Sequence, residues 1–76
     1  MRKGSAIVSI VDNYDNFTEV EKLIADYFIK NKHKQNFSTK AIRDKIFVSE
    51  ASLTRFSQKC GFKGYREFIY KYEEKF

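Results

Sequence analysis

The sequence predicts an all-α domain, and three observations carry that prediction. The 76 residues contain no proline and only three glycines, which leaves little material for tight hairpins. Apolar residues recur at three- and four-residue spacing in successive stretches, the period of a helix with one buried face. Three of these stretches open on a Thr or Ser that can cap the first turn. The length suits one domain, spanning residues 1–76, with one modest core. Eight Phe and five Tyr supply much of the 42% apolar content, and large rings bury much area per residue in so short a chain.

The N-terminal run from Ser5 to Asn13 is ambiguous by propensity. Ile7, Val8, Ile10 and Val11 are all β-branched and favour a strand. No second convincing strand is available to pair with it, and an isolated strand would leave its backbone groups unsatisfied. A helix is therefore expected.

Residues 18–31 form the clearest helix. Thr18 and Glu21 make the T-x-x-E capping box. Val20, Leu23, Ile24, Tyr27 and Phe28 follow the i, i+3, i+4, i+7, i+8 pattern expected of its buried face. Glu19 and Glu21 lie at its positive end, and Lys30 and Lys32 at its negative end. A short helix over 38–46 starts at Ser38, with Ile42 and Ile46 on one face. Ser49 caps the next helix, 49–60, whose narrow apolar stripe is Leu53, Phe56 and Cys60, and Gly61 supplies the left-handed residue that ends it. The last helix runs from about Tyr65, with Tyr65, Phe68, Ile69, Tyr72 and Phe76 aligned.

Composition removes several classes of function. A single cysteine, Cys60, forbids an internal disulfide, and one Cys with one His cannot make the usual structural zinc site. The longest apolar run, Ala6 to Val11, is broken by Ser9 and is too short to span a membrane; no signal-peptide pattern is read, so a cytoplasmic location is expected. There is no Gly-rich phosphate loop, no Ser/His/Asp set and no cluster of metal-ligating residues, so neither an enzyme nor a cofactor is expected.

The net charge of +5 points to a polyanionic partner, and its distribution is more informative than its size. Between Asn31 and Arg66 lie nine basic residues (Lys32, Lys34, Lys40, Arg43, Lys45, Arg55, Lys59, Lys63, Arg66) and two acidic ones (Asp44, Glu50), a balance of +7. The same segment holds helices 38–46 and 49–60, separated by only Phe47 and Val48. A short helix, a tight turn and a second amphipathic helix make a helix-turn-helix, whose second helix enters the major groove of double-stranded DNA N-terminus first. That geometry explains VSEASLTRF, where small hydroxyl residues occupy a helix start that pure packing would fill with Ala, Leu, Glu or Lys. It assigns base edges to Glu50, Ala51 and Arg55: Glu can accept from cytosine, Ala can touch a thymine methyl, and Arg can pair bidentately with guanine. It assigns phosphates to Ser38, Lys40, Ser49, Ser52, Thr54, Lys59 and Lys63.

FTEVEKLIADYFIKN, VSEASLTRFSQKCGF and GYREF together resemble the N-terminal domain of RpiR/MurR-type transcriptional regulators over roughly residues 7–76. The most specific part is VSEASLTRF followed by GFKGYREF, where the family usually has V-S-x-x-T-[VI]-x-R-F and L-G-F-x-G-[FY]-x-E-[FL]. The resemblance implies a five-helix, homeodomain-like fold without a wing, with the N-terminal run helical. It also implies homo-oligomers on paired DNA sites. A sugar-isomerase-like domain, absent from this chain, would bind a phosphosugar effector. Two positions depart from common helix-turn-helix usage. Arg43 stands where a small residue usually lets the two helices approach, and should snorkel outward. Phe47 stands where the turn often has Gly, and must either pack or adopt a costly backbone conformation.

Blander roles compete with these assignments. Ser49 can serve purely as an N-cap, and Lys59, Lys63 and Arg66 can be a solvated face. Phe56, Phe62, Tyr65 and Phe68 have the spacing of core residues rather than of a platform for single-stranded bases. The alternative from another class is a helical protein–protein module whose basic face meets an acidic partner.

Overall fold

A computed structural model describes residues 6–74. These form five helices: α1 (Ala6–Asp12), α2 (Glu19–Lys30), α3 (Thr39–Ile46), α4 (Glu50–Lys59) and α5 (Tyr65–Glu73). No strand occurs among the described residues, so the domain is all-α. The β-branched N-terminal run is helical from Ala6; Ser5 and Phe76 lie outside the described residues. α2 packs against α1, α3 and α4, while α5 closes the bundle against α4 and α1.

The helix ends are built by the residues whose chemistry requires it. The Thr18 hydroxyl accepts from the Glu21 N–H (3.2 Å) and the Glu21 carboxylate accepts from the Thr18 N–H (2.9 Å), completing the capping box. Ser38 Oγ accepts from the Ala41 N–H (3.1 Å) at the start of α3. Gly61, at φ 97°, closes α4 as a Schellman motif: its N–H bonds the Gln58 carbonyl and the Phe62 N–H bonds that of Ser57, both at 3.0 Å.

The core centres on Phe28. Its ring meets those of Phe68 (5.1 Å between centroids), Tyr72 (5.0 Å), Phe37 (6.1 Å), Phe56 (6.2 Å) and Tyr65 (6.4 Å). Two of these partners are tyrosines, and a buried hydroxyl needs an acceptor. Tyr72 donates to the Phe28 carbonyl and Tyr65 to the Phe37 carbonyl, each at 2.7 Å. Burial pushes the Tyr72 phenol up to about 12, with the Tyr27 charge a smaller cause, and raises that of Tyr65 as well.

The buried face of α2 differs from the expected one. Ile24 and Phe28 are fully buried, but the other inward residues are Glu21 and Ala25, whereas Val20 and Leu23 are 41% and 55% exposed and Tyr27 is half-buried. The face is rotated because Glu21 has a partner inside: its carboxylate accepts from Lys59 Nζ at 2.7 Å. A paired, capping glutamate can be buried, and the helix turns accordingly.

A further element had no periodic signal. A single 3-10 turn, Tyr14–Asn16, joins α1 to α2, tied down where the Tyr14 hydroxyl donates to Asp26 Oδ1 (2.9 Å). The connectors also feed the core, because Phe17 and Phe37 are both buried.

Phe56 is fully buried and its ring meets Phe17 at 5.1 Å and Phe68 at 5.2 Å. Phe56→Ala should therefore cost about 3–5 kcal/mol, a large part of the stability of so small a domain, as read by the midpoint of urea or thermal unfolding.

Candidate nucleic-acid interface

The hydroxyl-rich start of α4 divides into two sides. Ser49 is exposed and caps the helix: its Oγ accepts from the Ser52 N–H (3.1 Å) while its own hydroxyl donates to Ser52 Oγ (3.0 Å). Ser52 itself is only 8% exposed, and Ser57 is fully buried with its hydroxyl donating to the Leu53 carbonyl (2.8 Å). Together with Leu53, Phe56 and Cys60 they form an inward stripe wider than the expected one, because two serines small enough to fit are included. Ser52 is thereby withdrawn from the phosphate-binding set: its hydroxyl faces inward and is taken by Ser49.

The other side of α4 is open. Glu50, Ala51, Arg55 and Gln58 are exposed and Thr54 is half-exposed. Ala51 and Arg55 are four apart and share a face. No described residue holds the Arg55 guanidinium. Glu50 and Thr54 share the adjacent face, which borders an open groove of about 800 Å³. Across that groove stand Ser38 and Thr39 at the start of α3 and Arg66 on α5. The groove thus brings together three residues assigned separately from the sequence: Ser38, Glu50 and Thr54.

Lys40 and Lys63 are exposed, as phosphate contacts would have to be. Lys40 pairs with Asp44 one turn on at 3.1 Å, and both side chains are largely solvated, so the pair holds the lysine only weakly. The Lys63 backbone N–H donates to Glu67 Oε1 at 2.6 Å, which fixes the loop before α5. Lys45 donates to Gln35 Oε1 (2.9 Å), the same oxygen that receives the Tyr27 hydroxyl.

Lys59 has a different task from the one assigned to it. Its ammonium donates to Glu21 Oε1 and to the Asn16 carbonyl (3.0 Å), tying the end of α4 to the start of α2. Its charge is already matched by a buried carboxylate, which disfavours a phosphate contact there although the residue is exposed. Burial pushes the Glu21 carboxyl up, but hydrogen bonds from Lys59 and from the Thr18 backbone, with the Lys59 charge, outweigh it and hold its pKa below the usual glutamate value. Nothing in the spacing of Glu21 and Lys59, 38 residues apart, signals this pair.

The two departures in the turn resolve differently. Arg43 does not fully snorkel: it is half-buried, and its Nε is enclosed with no hydrogen-bond partner. Phe47 takes the costly conformation rather than packing. It ends α3 in the left-handed region (φ 56°, ψ 51°), its N–H donating to the Arg43 carbonyl at 2.7 Å, with its side chain 89% exposed. Cys60, deep under α4, has its thiol pushed up to about 12 by burial and by the Glu21 charge, and behaves as a small apolar group.

The Glu21–Lys59 pair generates a test of its role in the fold. Because the folded-state carboxyl pKa is depressed, the stabilisation is complete above the unfolded-state value of about 4.3 and is lost as pH falls through the lower folded-state value. Stability should decline from about pH 5 downward, and less steeply in Glu21→Gln. Lys59→Met should cost about 1–2 kcal/mol at pH 7, moderated by the partial exposure of the lysine. It should leave DNA affinity of the folded protein unchanged, which a binding titration beside a melting curve will show.

A search of curated protein sequences finds no match to the chain. The family model described as "Helix-turn-helix domain, rpiR family" matches residues 5–76. With α3, the turn and α4 in the arrangement that this description requires, the chain belongs to the rpiR family of helix-turn-helix domains, a family of DNA-binding transcription regulators.

Proposed function

We propose that the chain binds double-stranded DNA sequence-specifically, with α4 in the major groove, as the DNA-binding part of a bacterial regulator of sugar or phosphosugar metabolism. The observation that carries this reading is the solvent-exposed face at the start of α4. Glu50, Ala51 and Arg55 stand free on the second helix of a helix-turn-helix, while its opposite face is consumed by the core. Ser38, Lys40, Ser49, Thr54 and Lys63 contact phosphates around it. Ser49 combines this with its capping role, since the hydroxyl that caps α4 remains exposed.

The regulatory setting follows the family. The protein acts as a homo-oligomer on paired half-sites about 34 Å apart, in the cytoplasm. Any phosphosugar effector acts through a separate sugar-isomerase-like domain rather than through these residues. Among the described residues no helix is long and apolar enough to cross a membrane.

Selection on a random DNA pool, with the parent and single variants side by side, separates base reading from phosphate binding. Arg55→Ala should cost about 1–3 kcal/mol on the preferred sequence and relax the preference at one position. Lys40→Ala should weaken all duplexes alike and flatten the dependence of affinity on salt by about one unit of slope. If Arg55→Ala loses affinity equally on every sequence, Arg55 is a phosphate clamp. Failure to retain any duplex even at low salt would favour the protein–protein module.

A further inference from the structure

We infer that Phe47 is an additional base-reading residue, its ring meeting a thymine methyl in the major groove beside the bases reached by α4. The inference rests on the reading that α4 enters that groove.

The ring contributes nothing visible to the fold. Among the described residues Phe47 is the most exposed large apolar side chain, at 89%, and it makes no ring–ring contact. Its backbone is in the left-handed region, where a Cβ crowds the chain and glycine does not. Glycine would relieve that crowding and remove an apolar ring from water at the same time. A residue that opposes the fold on two counts and is nevertheless held in place is a candidate for function.

The backbone position is set by its neighbours. The Phe47 N–H is bonded to the Arg43 carbonyl at 2.7 Å, the next residue, Val48, packs against the core, and Ser49 caps α4. The ring is therefore presented from a fixed point relative to the first turn of α4. Three residues of chain separate it from Glu50, a span of at most about 11 Å, which keeps it within a few base pairs of the residues assigned to base edges.

The chemistry selects the partner. The surrounding segment from Asn31 to Arg66 carries nine basic and two acidic residues, which suits a polyanion and not an apolar protein surface. On a DNA duplex the apolar group offered in the major groove is the thymine 5-methyl, a known target for Ala, Thr and Phe.

The test uses the best duplex from a random pool and replaces each thymine in turn with uracil, which removes only the methyl. The parent should lose roughly three- to tenfold in affinity at one position whose methyl dependence survives in Ala51→Gly, since Ala51 is itself assigned a thymine methyl. Phe47→Gly should bind the thymine duplex that much more weakly, be indifferent to the methyl at that position, and melt no lower than the parent. Arg55→Ala should keep the methyl dependence, because a different side chain supplies it. The inference is overturned if Phe47→Gly binds as the parent does or retains the parent's methyl dependence at that position. It is also overturned if the substitution abolishes self-association while leaving DNA binding intact. A parent that binds every duplex alike would instead remove the α4 reading, and this inference with it.

Discussion

The packing of aromatic rings around Phe28 is the constraint on which the rest of this domain depends. A chain of this length cannot assemble a deep aliphatic core, so it concentrates apolar area in large rings. Phe37, Phe56, Tyr65, Phe68 and Tyr72 reach Phe28 from the α2–α3 connector, α4 and α5. Once those rings are seated, α4 has no rotational freedom left. Leu53, Phe56 and Cys60 must point inward, and Ser52 and Ser57 are small enough to follow them. The opposite side, with Glu50, Ala51 and Arg55, is turned to solvent as a result. The open face of α4 is thus a consequence of the core.

Two polar arrangements make that geometry specific. The tyrosine hydroxyls of the core are each satisfied by a backbone carbonyl, which fixes α5 against the Phe28 and Phe37 segments. At the other end of the bundle Glu21 serves at once as capping residue for α2 and as partner for Lys59. The pair locks the C-terminal end of α4 while its N-terminal end, near the groove bordered by Ser38, Thr54 and Arg66, stays accessible. Anchoring one end and exposing the other suits the proposed entry of α4 into a DNA groove tip first.

How much of this was legible depended on how local its cause is. The capping box at Thr18 and Glu21, the serine caps at Ser38 and Ser49, and the left-handed Gly61 all act within a few residues, and each stands where the sequence places it. The inward stripe of α4 and the aromatic face of α5 were legible for the same reason, since helical spacing alone defines them. The buried face of α2 was not. Val20 and Leu23 look like core by periodicity, and only a lysine 38 residues further on makes it possible to bury Glu21 instead. Phe17 and Phe37 lie in connectors with no period to betray them, and the Tyr14–Asn16 turn depends on a contact to Asp26 in the following helix. In the site, Ser52 and Lys59 had the right chemistry for phosphates and the wrong neighbours. The outward position of Arg55 needed no distant partner and could be read directly.

The most direct test of the central claim, that the face of α4 left over by the core is the DNA interface, is a map of backbone amide chemical shifts during titration with a selected duplex. The largest changes should fall from Phe47 to Arg55, with smaller ones at Ser38, Lys40 and Lys63, and the outer residues Val8, Val11, Val20 and Leu23 should stay unmoved. Changes concentrated on the outer sides of α1 and α2, with Glu50 to Arg55 unaffected, would contradict the account.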